Sequence, residues 1–161
     1  MAGSSPARTA HLLALVVPVA LLGGAYTSQY GFGLVPCEMC WWQRYPHFAA
    51  IGLGVLANVL PHPRARDAFA WVGAVAILAS GLIGAFHAGV EYGWWQGITT
   101  CSTTQLGADP LAAILNAPLV RCDVAQWTLF GISLAGYNFL ISTGAALAIF
   151  ALLTRARKGA A

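Results

Sequence analysis

Four apolar runs, at residues 11–29, 45–60, 68–90 and 134–153, constrain this chain more than any other feature. A helix that crosses a bilayer takes about 20 apolar residues, and a helix pairs its backbone polar groups internally where no water can. The rest of the chain offers little to cover a water-soluble globule. Of 161 residues, 58% are hydrophobic and 8% charged, against roughly a quarter charged in soluble domains. The mean hydropathy is +0.70. The expectation is a single-domain, all-α integral membrane protein spanning 1–161: a four-transmembrane-helix bundle with two external cysteine-bearing loops, 30–44 and 91–133, and one cytoplasmic loop, 61–67.

The net charge of +3 does not mark a nucleic-acid binder, because of where the charges fall. Arg8, Arg64, Arg66, Arg155, Arg157 and Lys158 lie at one end of such a bundle, leaving only Arg44 and Arg121 at the other. Six basic residues against two is the positive-inside pattern, which places both termini in the cytoplasm. A cleaved signal peptide is the alternative reading of the first run, since Arg8, the apolar core and "LGGA" resemble one. Removing it would leave the other helices oriented as before.

Residues 1–10 read as a short disordered tail, Pro18 as a bend in the first span, and "PHPRARD" (61–67) as a tight turn. Ser80, Gly84 and Ala88 recur every four residues, a spacing that lets helix backbones approach closely. In the second external loop, "DPLAAILNAP" reads as a short helix with Asp109 as N-cap and Pro110 at its first position. "CDVAQWTLF" reads as another, with Asp123 and Gln126 as a capping box. Val124, Trp127, Leu129 and Phe130 would lay it on the membrane surface; an ordinary loop turn is the alternative.

All four cysteines fall on the external side: Cys37 and Cys40 in the first loop, Cys101 and Cys122 in the second. That segregation points to disulfide chemistry in an oxidising compartment. Inert staples and a four-thiolate zinc site are the alternatives. A Cys-x-x-Cys bridge closes too small a loop to restrain the chain much, and the second pair is too widely spaced for the usual zinc pattern. Trp41, where a haem site would have histidine, disfavours haem attachment. Cys40 is expected just ahead of a helix beginning near Trp42 to Arg44, because Pro46 belongs in a first turn. A helix N-terminus and a nearby cation both favour a thiolate. Arg44 could also be an interfacial anchor reaching for headgroups.

At "PCEMCWWQR", "FHAGVEYGWW" and "CDVAQWTLFGISLAGYN" the chain resembles the disulfide bond formation protein B (DsbB) family of bacterial inner membranes, and the likeness runs through nearly the whole sequence. The resemblance implies a quinone-reducing protein-disulfide oxidoreductase that reoxidises a soluble periplasmic thioredoxin-fold thiol oxidase of the DsbA type. Cys101 and Cys122 would then form the disulfide that accepts electrons from the partner. Cys37 and Cys40 would pass them to ubiquinone or menaquinone. Arg44 matches the family arginine at the quinone, and His87 falls in the region of a family histidine; His47 and Glu91 carry weaker claims. A DsbA-type carrier lies near −120 mV, above ordinary protein disulfides at about −180 mV or lower, so a stronger terminal acceptor has to draw the electrons onward. A quinone dissolved in lipid suits a Cys-x-x-Cys pair at the bilayer edge. Other readings are a thiol protein of the vitamin K epoxide reductase type, whose Cys-x-x-Cys usually falls late in the chain, and a metal-binding membrane protein using the four cysteines.

Overall fold

The computed structural model describes residues 5–102 and 120–159. Among these described residues four helices carry the fold: α1 (Ser5–Phe32), α2 (Glu38–Val59), α3 (Pro63–Glu91) and α4 (Leu134–Lys158). Consecutive helices pack on one another, and α1 closes the bundle against α4. The helix ends bearing Arg8, Arg64, Arg66 and Arg155 therefore share one end of the bundle, and the cysteines lie at the other.

α1, α3 and α4 are each long and apolar enough to cross a membrane. α2 differs because its first half carries Glu38, Gln43 and Arg44, and only the part from Phe48 onward is apolar. The helices also outrun the apolar runs from which they were expected. α1 starts at Ser5, so part of the expected N-terminal tail is helical. α3 starts at Pro63, which shortens the expected 61–67 turn to a few residues. Pro63 occupies a first helical position, where a missing N–H costs nothing.

Small residues set the packing, as they do where lipid supplies no hydrophobic drive between helices. At Gly54 an added Cβ would lie 2.7 Å from the Ala14 carbonyl oxygen, so α1 crosses α2 almost backbone to backbone. At Gly84 it would lie 2.9 Å from the Ala135 carbonyl oxygen and 3.0 Å from Nδ2 of Asn138. The expected Ser80–Gly84–Ala88 stripe is thus the face that α3 turns inward, with Ser80 fully buried. The core at the basic end is largely alanine with Ile77, Ile149 and Leu153. It is tied by His11 Nε2 to Asp67 Oδ1 (2.8 Å) and by Asn58 Nδ2 donating to the His11 carbonyl (2.8 Å).

The second loop departs from expectation. The Asp109 helix lies outside the described residues. "CDVAQWTLF" is not a helix: Thr128–Leu129 (β1) pairs antiparallel with Ile132–Ser133 (β2). The two residues between them, Phe130 and Gly131, both have positive φ (49° and 77°), as a tight two-residue hairpin turn demands. Asp123 and Gln126 make no capping box. Asp123 accepts from Arg121 (2.8 Å), and Gln126 Nε2 donates to the Val35 carbonyl (2.7 Å), holding the second loop over the first. Tyr92 and Tyr137 fix the hairpin through their hydroxyls, to Gly131 O and Leu129 O respectively.

Candidate functional site

The site grows from the start of α2. Cys37 is the N-cap, in extended backbone, and its Sγ accepts from the Cys40 backbone N–H at 3.2 Å. This takes up one of the donors that a helix start leaves unpaired. α2 therefore begins earlier than the sequence suggested, and Cys40 lies inside its first turn with Pro46 inside the helix. The expected benefit to a thiolate survives, because the first turn is where the helix dipole acts. The two sulfurs lie 2.7 Å apart, Cys37 buried and Cys40 half-buried.

The pair is electrically unequal. The hydrogen bond with Cys40, followed by burial, pushes the Cys37 thiol far above the ordinary range. Cys40 is held below it, first by the hydrogen bond from Cys37 and further by the Arg44 charge. Of the two sulfurs, Cys40 is the one its surroundings favour as a thiolate.

Cys101 and Cys122 form a disulfide, Cα to Cα 5.3 Å. The bridge packs into one buried cluster with Cys37, Met39 and Val90. His87, from α3, joins the two pairs: its Nε2 lies 3.6 Å from Cys37 Sγ and 3.2 Å from the Cys122 carbonyl. Although Ile98 nearby is exposed, Cys101 itself is buried, with Thr99 Oγ1 at 3.1 Å from its sulfur.

Arg44 is not an outward-reaching lipid anchor. It is buried, with its guanidinium 4.9 Å from the ring centroids of both Tyr26 and Trp41. Nη1 donates to Gln29 Oε1 (2.7 Å) and Nη2 to the Ala25 carbonyl (3.4 Å). Aromatic faces stabilise such a cation without neutralising it.

Two amides that the sequence reading passed over organise the centre. Gln43 Nε2 donates to His87 Nδ1 (2.8 Å), and Gln43 Oε1 accepts from Asn138 Nδ2 (2.9 Å). Asn138 Oδ1 in turn accepts from His47 Nε2 (3.0 Å) and Ser142 Oγ (2.9 Å). His47 is thus brought into the polar core, and Glu91 lies beside His87. The available signal was an amide standing alone in an apolar run, as in "LAGYNFLIS".

A cavity of about 300 Å³ opens between α1 and α4 against this centre. Cys37, Cys40, Gln43, Arg44, His47, His87 and Glu91 line its polar end, and Leu21, Gly24, Leu134 and Ile141 its apolar side. Leu134 and Ile141 are exposed on the bundle surface, so the apolar side reaches the outside of the helices.

Comparison with known proteins agrees with this arrangement. The family described as "Disulfide bond formation protein DsbB" matches residues 7–152. The chain belongs to the DsbB family. Disulfide bond formation protein B of Verminephrobacter eiseniae is 34% identical, covering 97% of this chain and 90% of the relative. Proteins of the same name from Aromatoleum aromaticum and Paracidovorax citrulli are 32% and 31% identical, covering 94% and 98% of this chain and 93% and 92% of theirs. No solved structure matches. Membership of the DsbB family makes this a membrane thiol–disulfide oxidoreductase of disulfide bond formation.

Proposed function

We propose that this DsbB-family protein spans the bacterial inner membrane four times, with both termini cytoplasmic. In this reading it reoxidises a periplasmic thioredoxin-fold thiol oxidase of the DsbA type and passes the electrons to a membrane quinone. The observation that carries the reading is the contact of His87 with both cysteine pairs, 3.6 Å from Cys37 Sγ and 3.2 Å from the Cys122 carbonyl, at the polar end of the α1–α4 cavity. Two pairs packed together can exchange a disulfide, and a cavity reaching the apolar surface can admit a lipid-borne acceptor.

In the proposed order, the partner's thiolate attacks Cys101, and Cys122 leaves as a thiolate. Cys122 then attacks Cys37, and Cys40 leaves as the better-stabilised sulfur. His87, with its hydrogen on Nε2, faces the sulfur under attack. The partner's second thiolate displaces Cys101 and departs oxidised; Cys101 then attacks Cys122, so the Cys101–Cys122 bridge reforms and Cys37 leaves to become a thiol. A quinone would supply the two-electron acceptor, and the residues present suit one. Arg44 has five N–H donors and spends two on Gln29 and Ala25, so others can meet a carbonyl oxygen. The apolar side at Leu21 and Ile141 suits an isoprenoid tail. The cavity volume falls at the lower end of small-molecule sites.

Purified protein, a reduced thioredoxin-fold partner and ubiquinone or menaquinone test the proposal together. Partner oxidation coupled one-to-one with quinone reduction is expected. Partner oxidation that stops after the stored disulfides are consumed would exclude the quinone. Labelling of intact cells with an impermeant thiol reagent after reduction tests the topology, which fails if Cys101 and Cys122 react only once the membrane is opened.

A further inference from the structure

Glu91, at the external end of α3, lines the cavity with Cys37, Cys40 and Arg44, yet has no place in the disulfide relay. Its side chain is 8% exposed. Oε1 lies 3.7 Å from His87 Nε2, beyond hydrogen-bond length, and Oε2 has no hydrogen-bond partner in the protein.

The charged groups facing it do not answer a negative charge. Arg44 lines the same cavity but makes no ion pair with Glu91, its two bonded N–H groups going to Gln29 and Ala25, and Arg121 pairs with Asp123. His87 accepts from Gln43 at Nδ1 and carries its hydrogen on Nε2, so it is neutral. Cys40 also lines the cavity, and as a thiolate it would repel a carboxylate there. Burial of the Glu91 carboxyl outweighs the hydrogen bond with Ser133 that favours its charged form, and with Oε2 unpartnered the neutral acid is favoured. As an acid it presents one O–H to a cavity whose proposed occupant carries carbonyl acceptors.

We propose that Glu91 is a proton donor to the bound quinone, an inference that rests on the quinone reading above. The balance closes without a further reagent. Before the step, Cys37 is a thiol, Cys40 a thiolate and Glu91 an acid. Cys37 and Cys40 form their sulfur–sulfur bond and give up two electrons to the quinone ring. The Cys37 thiol and the Glu91 carboxyl each give up one proton, so the two quinone oxygens become hydroxyls. One negative charge, on Cys40 before the step, resides on Glu91 after it. Glu91 then regains a proton from water at the external face.

Glu91→Gln keeps the shape and a hydrogen-bond donor but has no proton to give; Glu91→Asp restores the acid. The first measurement is the infrared difference spectrum of the reduced protein with and without a short-chain ubiquinone. A protonated-carboxyl C=O band that shifts on quinone addition, present in wild type and absent in Glu91→Gln, is expected. The second is single-turnover reoxidation of the Cys37–Cys40 dithiol by that quinone, alongside quinone binding measured by tryptophan quenching. General-acid groups contribute about 10²-fold or more, so a loss of that order in Glu91→Gln is expected, with binding retained and partial recovery in Glu91→Asp. Wild-type reoxidation rates in Glu91→Gln, or an infrared spectrum without the band, would overturn the assignment while leaving the quinone site standing. Wild-type protein that neither binds nor reduces quinone would remove the quinone reading itself.

Discussion

Gln43 donates its amide N–H to Nδ1 of His87 across 2.8 Å, and this one contact decides which face of the imidazole meets the cysteines. With Nδ1 accepting, the ring hydrogen is on Nε2, the atom that faces the Cys122 carbonyl and Cys37 Sγ. The amide orientation is itself fixed, since Gln43 Nε2 also donates to Met39 O and Oε1 accepts from Asn138.

Replacing Gln43 with leucine therefore removes the tautomer lock and leaves buried groups unpaired. A lost buried hydrogen bond of this kind costs about 1–3 kcal/mol of stability, and turnover should fall with the loss of the ring's fixed orientation. Nitrogen chemical shifts of the His87 ring should show mixed tautomers. An unchanged ring spectrum together with unchanged turnover would show that Gln43 only packs.

Arg44→Ala should raise the apparent Michaelis constant for quinone by about tenfold or more, since a charge-assisted hydrogen bond contributes roughly 1.5–3 kcal/mol. Arg44→Lys should recover only part of this, because lysine supplies charge without the planar fork that lies between Tyr26 and Trp41. Steady-state rates across quinone concentrations check both. Equal constants in all three proteins would reduce Arg44 to a structural cation.

The helices were legible because apolar runs and small-residue spacing are local signals, and the basic residues marked which ends lie together. Their boundaries were less so. Pro46 argued for a late start to α2, whereas the Cys37 cap made an early one possible, and a sulfur cap has no strong sequence signature. The "TLFGIS" hairpin was missed because Val124, Trp127 and Phe130 happen to recur at helical spacing, while the deciding fact is the left-handed backbone at Phe130 and Gly131. Within the site, Cys37, Cys40 and Arg44 stood out by cysteine spacing and a nearby cation, and His87 came from motif likeness. Gln43 and Asn138 lie inside the stretches that carry that likeness but were passed over, because their importance lies in whom they bond across three helices.

The close crossing of α3 and α4 predicts a stability contrast between two glycines. Gly84→Ala places a methyl group 2.9 Å from the Ala135 carbonyl oxygen, and overpacking of this kind costs about 1–3 kcal/mol. Gly52→Ala meets nothing within 4 Å and gains helix propensity. Thermal unfolding in detergent should show the first variant melting lower and the second at or above wild type. The packing account fails if the two variants melt alike.

The unequal cysteines predict a pH signature in the reduced protein. Cys40, held below the ordinary thiol value of 9.0 by Cys37 and Arg44, stays a thiolate to lower pH than a free cysteine. Alkylation by iodoacetamide should therefore modify Cys40 first, with a half-maximal rate at a pH below 9.0. Removing the Arg44 charge takes away one of the groups that lower it, so the Arg44→Ala midpoint should move upward. Removing the Cys37 hydrogen bond, the larger cause, should move it further, as Cys37→Ala would show. A Cys40 that reacts at an ordinary thiol pH in wild type would contradict the assignment of Cys40 as the leaving sulfur.

The burial of the Cys101–Cys122 bridge sharpens the proposed entry of electrons. Cys122 is fully buried against Cys37 and Met39, and Cys101 lies at the edge of the same cluster beside exposed Thr100 and Ile98. Attack on Cys101 asks the partner to shift only this rim, whereas attack on Cys122 asks it to open the core. Breaking the bridge at Cys101 also frees Cys122 where it already packs against Cys37, so the next exchange needs little movement. In Cys122→Ser the second exchange is impossible, and a mixed disulfide between Cys101 and the partner should accumulate. Peptide mapping of the trapped species decides it. A bond to Cys37 or Cys40 instead would mean that the second loop is not the entry point and that the Cys101–Cys122 bridge serves the fold.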